Sequence, residues 1–205
     1  MQARLHIYTT LQKHYTMIIT IGRQLAAGGR EVGKQLAKQL NLHYYDRSLL
    51  AVAARESGIA EDLFSAADEQ YNIFTMALKA DNQELFQIQS EVIQHLAEKG
   101  NCLFVGRAAD YVLRERHDLL SVFLTANTED RIQRIMKGEH LSEKEAKNFI
   151  GKADRRRSDY YNFYTGKQWG CANGYDLCIN TSRLSIPLTV QLIAEAANKI
   201  KEAAI

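Results

Sequence analysis

The sequence predicts an α/β fold, a three-layer doubly wound sheet of about five parallel strands with helices on both faces. Three observations predict it. Short apolar runs alternate with segments of helical periodicity. A single proline and the absence of any Gly/Ser-rich tract leave no linker to divide the 205 residues. Hydrophobic residues at 46% and charged residues at 24% are the balance of a chain that buries a continuous core.

The elements follow in order. Met17 to Ile21 is a first strand, after which Glu31 to Leu40 has helical spacing and Asn41 marks its end. Leu42 to Tyr45 is a second strand, Cys102 to Val105 a third, Leu119 to Leu124 a fourth and Tyr175 to Ile179 a fifth. Helical segments run over Ser48 to Ser57, Glu84 to Lys99, Glu129 to Met136 and Leu188 to Ala204. Asn127 is placed to cap the helix after the fourth strand, Ser142 with Glu145 forms a capping box, and Pro187 suits a first turn. Two helical insertions, about 60–99 and 141–164, interrupt the alternation. In a doubly wound sheet they lie beyond the carboxyl ends of the strands, where ligands bind, so they are lid candidates. Residues 1–16 have no periodicity and read as a peripheral N-terminal extension to a single domain over 17–205.

Composition also removes function classes. A net charge of +2 is too small for a nucleic-acid surface, so an anion site must come from local arginine placement. No apolar stretch reaches membrane-spanning length and no secretion signal is present, so the expectation is the cytoplasm. Cys102, Cys171 and Cys178 show neither disulfide nor zinc spacing, and Cys102 and Cys178, inside strand-like runs, are expected to pack as small hydrophobes. The six histidines lack metal spacing.

The chemistry concentrates after the first strand. Gly22-Arg23-Gln24-Leu25-Ala26-Ala27-Gly28-Gly29-Arg30-Glu31 reads as a glycine-bounded loop running into a helix, the setting in which successive N–H groups converge on a phosphate. The phosphate-loop pattern G-x-x-x-x-G-K-[ST] is not met, because Gly28 or Gly29 stands where the lysine belongs. Arg23 and Arg30 flank the turn and are the candidates to replace that cation. Glu31 falls near the usual magnesium-binding hydroxyl and is the candidate metal ligand.

The ordered set Gly22 to Gly33, His43-Tyr44-Tyr45-Asp46-Arg47, Val105-Gly106-Arg107, Val122 to Ala126, Asp154-Arg155-Arg156-Arg157 and Tyr175 to Ser182 resembles the cytidylate kinase-like family. It looks most like a branch that opens on Gly-Arg-Gln in place of a lysine-bearing loop. The resemblance implies a P-loop NTPase fold with helical acceptor-site and lid insertions, ATP and Mg2+ as cofactors, and small-molecule nucleotide substrates. It implies phosphate binding by Gly22, Arg23, Gln24, Gly28, Gly29, Arg30 and Glu31, and acceptor binding by Asp46, Arg47, Arg107 and Asp110. Arg30, Asp154, Arg156 and Arg157 are the implied catalytic groups. Two departures stand out: Val52 occupies the position of an acceptor-side arginine, and Ile150-Gly151 replaces the leading Arg-Asp of the lid motif. On a helix Arg155, Arg156 and Arg157 diverge, so only one or two of them can face the cleft. Tyr160 to Tyr164 and Trp169 are expected to pack the insertion against the core. The reading is ATP-dependent phosphoryl transfer to a nucleotide, with CMP or dCMP the first acceptor. The alternatives are a kinase of another small metabolite and a nucleotide-binding regulator without catalysis.

Overall fold

Strand β1 (Ile18–Arg23) is the axis of the molecule, buried through Gly22 and half-buried at Arg23. The computed structural model describes residues 16–48 and 83–203. Helix α1 (Gly29–Leu40) and strand β2 (His43–Tyr45) follow β1, and then α2 (Gln83–Glu98), β3 (Cys102–Val105), the single turn α3 (Ala109–Val112) and β4 (Leu119–Thr125). The chain continues through α4 (Thr128–Glu139), α5 (Glu143–Thr165), a 3-10 turn (Ala172–Gly174), β5 (Leu177–Asn180), α6 (Thr181–Leu184) and α7 (Ile186–Ala203). The sheet order is β2-β3-β1-β4-β5, with every pairing parallel. The chain leaving β1 turns toward one edge of the sheet and the chain leaving β4 toward the other. A crevice therefore opens at the carboxyl end of β1, where Gly22 and Arg23 sit opposite Phe123 and Leu124.

Period-two alternation distributes the strand residues between two helical layers. Ile19 and Ile21 of β1 join Val32 and Leu36 of α1 and Val190 and Ile193 of α7 in one cluster. Ile18, Cys102 and Phe104 join Val92, Ile93 and Leu96 of α2 on the other face. A third cluster, Ile132, Ile135, Ala146 and Ile150, packs α4 and α5 together with Leu25 and Ala26 against it. The phosphate-loop candidate is thus built into the α4/α5 layer.

The expected strands are found within one or two residues. The fifth begins at Leu177 rather than Tyr175, because Asp176 is drawn into a turn in which its carboxylate accepts from the amide and hydroxyl of Ser121, each at 2.7 Å. Asn41 closes α1 in a left-handed conformation and the Ser142/Glu145 capping box is formed. Asn127 occupies the N-cap of α4 without capping it, since its side-chain oxygen accepts from Asn180 instead. Cys102 is fully buried, as expected, but Cys178 is exposed. The reason is its place on an edge strand: Ile179 faces α7, while Cys178 faces the side that the α2/α3 cluster does not reach. The Ser48 to Ser57 helix lies, beyond its first residue, outside the described residues, and the first insertion is described from Gln83 onward. Among the described residues no helix is long and apolar enough to cross a membrane.

Candidate active site

The backbone between β1 and α1 is held by its carbonyls. The Arg23 carbonyl accepts from Arg157 Nη1 at 3.4 Å and that of Leu25 from Arg131 Nε at 2.7 Å. The Ala26 carbonyl accepts from Arg134 Nη1 at 2.8 Å and that of Ala27 from Thr181 Oγ1 at 3.0 Å. A trans peptide points its N–H opposite its C=O, so fixing successive carbonyls outward fixes the amides that follow them. Helix α1 then starts at Gly29 from a left-handed Gly28, and among the described residues no side chain caps it. Val32 is the first residue of the helix whose amide reaches back to a carbonyl, so among the described residues the amides of Gly29, Arg30 and Glu31 have no carbonyl partner and lie at the positive end of the helix dipole. Glycine-rich turn, exposed amides and dipole together make an anion cradle.

Arg23 crosses the front of that cradle. A Cβ on Gly29 would lie 2.7 Å from Arg23 Cγ, and one on Gly106 would lie 1.8 Å from Arg23 Nη1. The two glycines therefore provide the groove in which the side chain runs from the start of α1 to the turn after β3. Burial, reinforced by the neighbouring Arg157 and Arg107, pushes the Arg23 guanidinium down to about 9. Burial also lowers Arg107 and Arg157. Three guanidiniums held close together and partly desolvated are a site that gains from taking up an anion.

A cleft of about 570 Å³ opens beside Arg23. Arg23, Arg47, Arg107, Arg156 and Arg157 give it five cationic side chains, and Tyr160, Tyr161, Trp169 and Tyr175 give it aromatic walls. Its contact with the phosphate loop is through Gly22 and Arg23, not through Gly28 to Arg30. Arg107 is held in place: Gly106, Arg107 and Ala108 all have positive φ, at 77°, 64° and 53°. Such a run persists only where its surroundings over-determine it. Gln89, buried on α2, does so: its Oε1 accepts from Arg107 Nε at 2.8 Å, and its Nε2 donates to the Arg107 carbonyl at 3.0 Å and to Tyr160 Oη at 2.8 Å. The guanidinium lies 5.2 Å from the Tyr160 ring centre.

The remaining expected site residues separate into groups. Arg156 and Arg157 reach the cleft from α5, whereas Arg155 is exposed and does not line it. Asp110 is buried at the cleft wall, accepts from Tyr161 Oη at 2.7 Å, and has its carboxyl pushed up by burial. Arg30, three-quarters exposed, pairs with the buried Asp46 at 3.6 Å and is not in the cleft. Asp46 in turn accepts from the amide and hydroxyl of Ser48 at 3.1 and 2.7 Å. Gln24 turns its side-chain oxygen to the amide of Ala126 at 3.3 Å, tying the loop to β4. Glu31 is exposed on the first turn of α1 and accepts from Gln35 at 3.3 Å. Asp154 stands behind the loop, where it accepts from the Leu25 amide at 2.7 Å and pairs with Arg131. Sequence reasoning missed Gln89, Arg131, Arg134 and Tyr175. The aromatic residues expected only to pack do pack, Trp169 against Phe123 and Tyr160 against Phe86, but both also wall the cleft.

The chain is similar to known proteins over most of its length. Cytidylate kinase of Methanocaldococcus jannaschii is 27% identical over 190 residues, spanning 91% of this chain and all of that one. Cytidylate kinase of Pyrococcus horikoshii is 29% identical over 185 residues, 88% of each chain. A crystal structure of an uncharacterized protein from Eubacterium ventriosum superposes with a TM-score of 0.73 at 27% identity, over 89% of this chain and 98% of that one. Shikimate kinase from Bacteroides thetaiotaomicron has the same fold, at a TM-score of 0.52 and 18% identity over 89% and 99% of the two chains. The family model described as the cytidylate kinase-like family matches residues 18–183, from the first strand through α6, and so covers every site element described above. A P-loop kinase fold, an arginine-lined cleft at its switch point and that match lead to one conclusion: this phosphotransferase belongs to the cytidylate kinase-like family.

Proposed function

We propose that the chain transfers the γ-phosphoryl group of ATP to a nucleoside monophosphate, with CMP or dCMP as acceptor. One observation carries the reading: the Arg23 side chain spans from the start of α1 to the Arg107 turn, its aliphatic stem over Gly29 and its guanidinium over Gly106. A donor phosphate on the α1 amides and an acceptor phosphate on Arg107 would meet at that guanidinium. Arg23 therefore takes the part of the absent lysine, and Arg30, turned to Asp46, does not. A planar guanidinium can bridge two phosphates and follow charge from one to the other during transfer.

Phosphoryl transfer needs little covalent help from protein, so positioning and electrostatic stabilisation are the tasks. Arg107, braced by Gln89, would anchor the acceptor phosphate, and Arg156 and Arg157 would close on the transferred group from α5. The cleft has the volume of a small-molecule site, and its four aromatic walls suit a nucleobase. Among the described residues no group of three or more metal-ligating side chains forms a cage. The Mg2+ that accompanies ATP takes most of its ligands from phosphate and water, and its chemistry would be to neutralise developing phosphate charge. Glu31, exposed and bonded through one oxygen to Gln35, would be its protein ligand.

The test is a coupled assay with ATP, Mg2+ and each common nucleoside monophosphate. Turnover with CMP or dCMP, lost in Arg23→Ala, is expected. Nucleotide binding without turnover on any monophosphate sinks the reading. That result would favour the second reading, a non-catalytic nucleotide-binding regulator, to which the missing lysine points.

A further inference from the structure

Arg131 is 5% exposed, and nothing in the transfer chemistry requires a buried arginine behind the loop. Its Nε donates to the Leu25 carbonyl at 2.7 Å, and its Nη2 pairs with Asp154 Oδ2. The other carboxylate oxygen, Oδ1, accepts from the Leu25 amide at 2.7 Å. The pair thus grips both polar groups of Leu25, one from α4 and one from α5. The next residue, Ala26, is held at φ 60°, a left-handed conformation that an alanine does not adopt without cost. Replacing a buried ion pair by well-packed apolar side chains is often neutral or stabilising. Stability alone therefore does not account for the pair, whereas orientation of the loop does. Fixing the Leu25 carbonyl outward turns the Ala26 amide the opposite way, and Arg134 on the Ala26 carbonyl helps hold the next peptide, whose Ala27 amide closes a turn onto the Gln24 carbonyl at 3.3 Å.

We infer that Arg131 and Asp154 are positioning residues for the donor nucleotide, setting the peptide planes of the phosphate loop from behind. Asp154 then acts through the loop and, with Oδ1 3.8 Å from Arg157 Nη1, through a cleft arginine, not on the reacting atoms. The inference rests on the phosphotransfer reading, because it presumes that the loop receives the phosphates of ATP.

The experiment uses the full chain in three forms: wild type, the double variant Arg131→Met/Asp154→Leu, and Arg131→Lys. Calorimetric titration with a non-hydrolysable ATP analogue and Mg2+ gives Kd, and thermal denaturation reports folding. The double variant keeps an apolar filling in place of the pair, so its Tm is expected to stay close to wild type while its Kd rises about 10- to 100-fold, the loss expected from charge-assisted hydrogen bonds. Arg131→Lys keeps the charge without the fork and is expected to fall between the two. A merely structural pair would move Tm and leave the Kd of the folded chain alone. A folded double variant that binds the analogue within about twofold of wild type overturns the inference. If the double variant does not fold, Asp154→Asn decides by the same comparison, with an unchanged Kd again overturning it. Wild-type chain that binds no analogue sinks the phosphotransfer reading itself, a result distinguishable from failure of the variants alone.

Discussion

Gly106→Ala puts the placement of Arg23 to a quantitative test. Gly106 has φ 77°, so an alanine there carries a left-handed penalty of about 1–2 kcal/mol before any contact is counted. The new methyl carbon would then stand 1.8 Å from Arg23 Nη1 and 2.9 Å from Cζ. Ordinary contact needs about 3.5 Å, so the guanidinium must retreat by roughly 1.7 Å. Its way back is narrow, because the Arg23 side chain already fills the space over Gly29. A misplacement of about 1 Å in a positioned catalytic group costs about 100-fold in rate, which sets the expected fall in turnover. The backbone penalty alone predicts a Tm lower by about 2–8 °C for a chain of this size. The assay pairs initial rates, at saturating ATP and acceptor, with a melting curve for each protein. A variant that melts lower yet turns over at the wild-type rate would refute the claim that this guanidinium meets the transferred phosphate.

Three further outcomes follow from the same geometry. Arg23 is depressed to about 9 from an ordinary 12.5, so between those values the unfolded chain binds more protons and the folded chain gains stability as pH rises. Below about 9 the folded chain carries the full penalty of the buried charge, and a bound phosphate relieves it. The Tm gain from saturating ATP should therefore shrink between about pH 8 and about pH 10, and Arg23→Gln should remove that dependence in thermal-shift measurements. Ala26→Gly relaxes the left-handed strain at φ 60° and should stabilise the fold by about 0.5–1 kcal/mol in chemical denaturation; a loss of stability would show that the alanine is not strained. Gln89→Leu removes the acceptor for Arg107 Nε and should raise the acceptor KM about tenfold or more while leaving the KM for ATP near wild type, and an equal rise in both would contradict its assignment to the acceptor side.

Much of this was legible in the residues themselves. The five strands are continuous apolar runs because a parallel sheet is covered on both faces, and that signal needs no partner to be read. The glycine pair Gly28-Gly29 marked the cradle for a local reason as well, since only glycine readily takes the left-handed start of α1. What was not legible depends on side-chain direction in three dimensions. Arg23 and Arg30 flank the same turn in sequence, and only the path over Gly29 and Gly106 separates the one in the cleft from the one paired with Asp46. Asp154 sits among arginines of a lid motif, yet its carboxylate is oriented by a residue 23 positions earlier on another helix. Gln89 is one polar position on an amphipathic helix, and nothing local distinguishes it from a solvated one. Cys178 reads as buried by composition, and its exposure follows from the edge position of β5, which is a property of the sheet order.

Helix α5 is an unbroken rod of 23 residues, about 34 Å long. Asp154 and Tyr160 sit on it less than two turns apart, one fastened to Leu25 and the other to Gln89. A stiff rod cannot shift at one of these contacts and stay still at the other without bending, so a displacement at Leu25 would be carried to the brace on Arg107. The loop after β1 and the turn after β3 would then be set by one strut, and a substitution in α5 that moves either would move both.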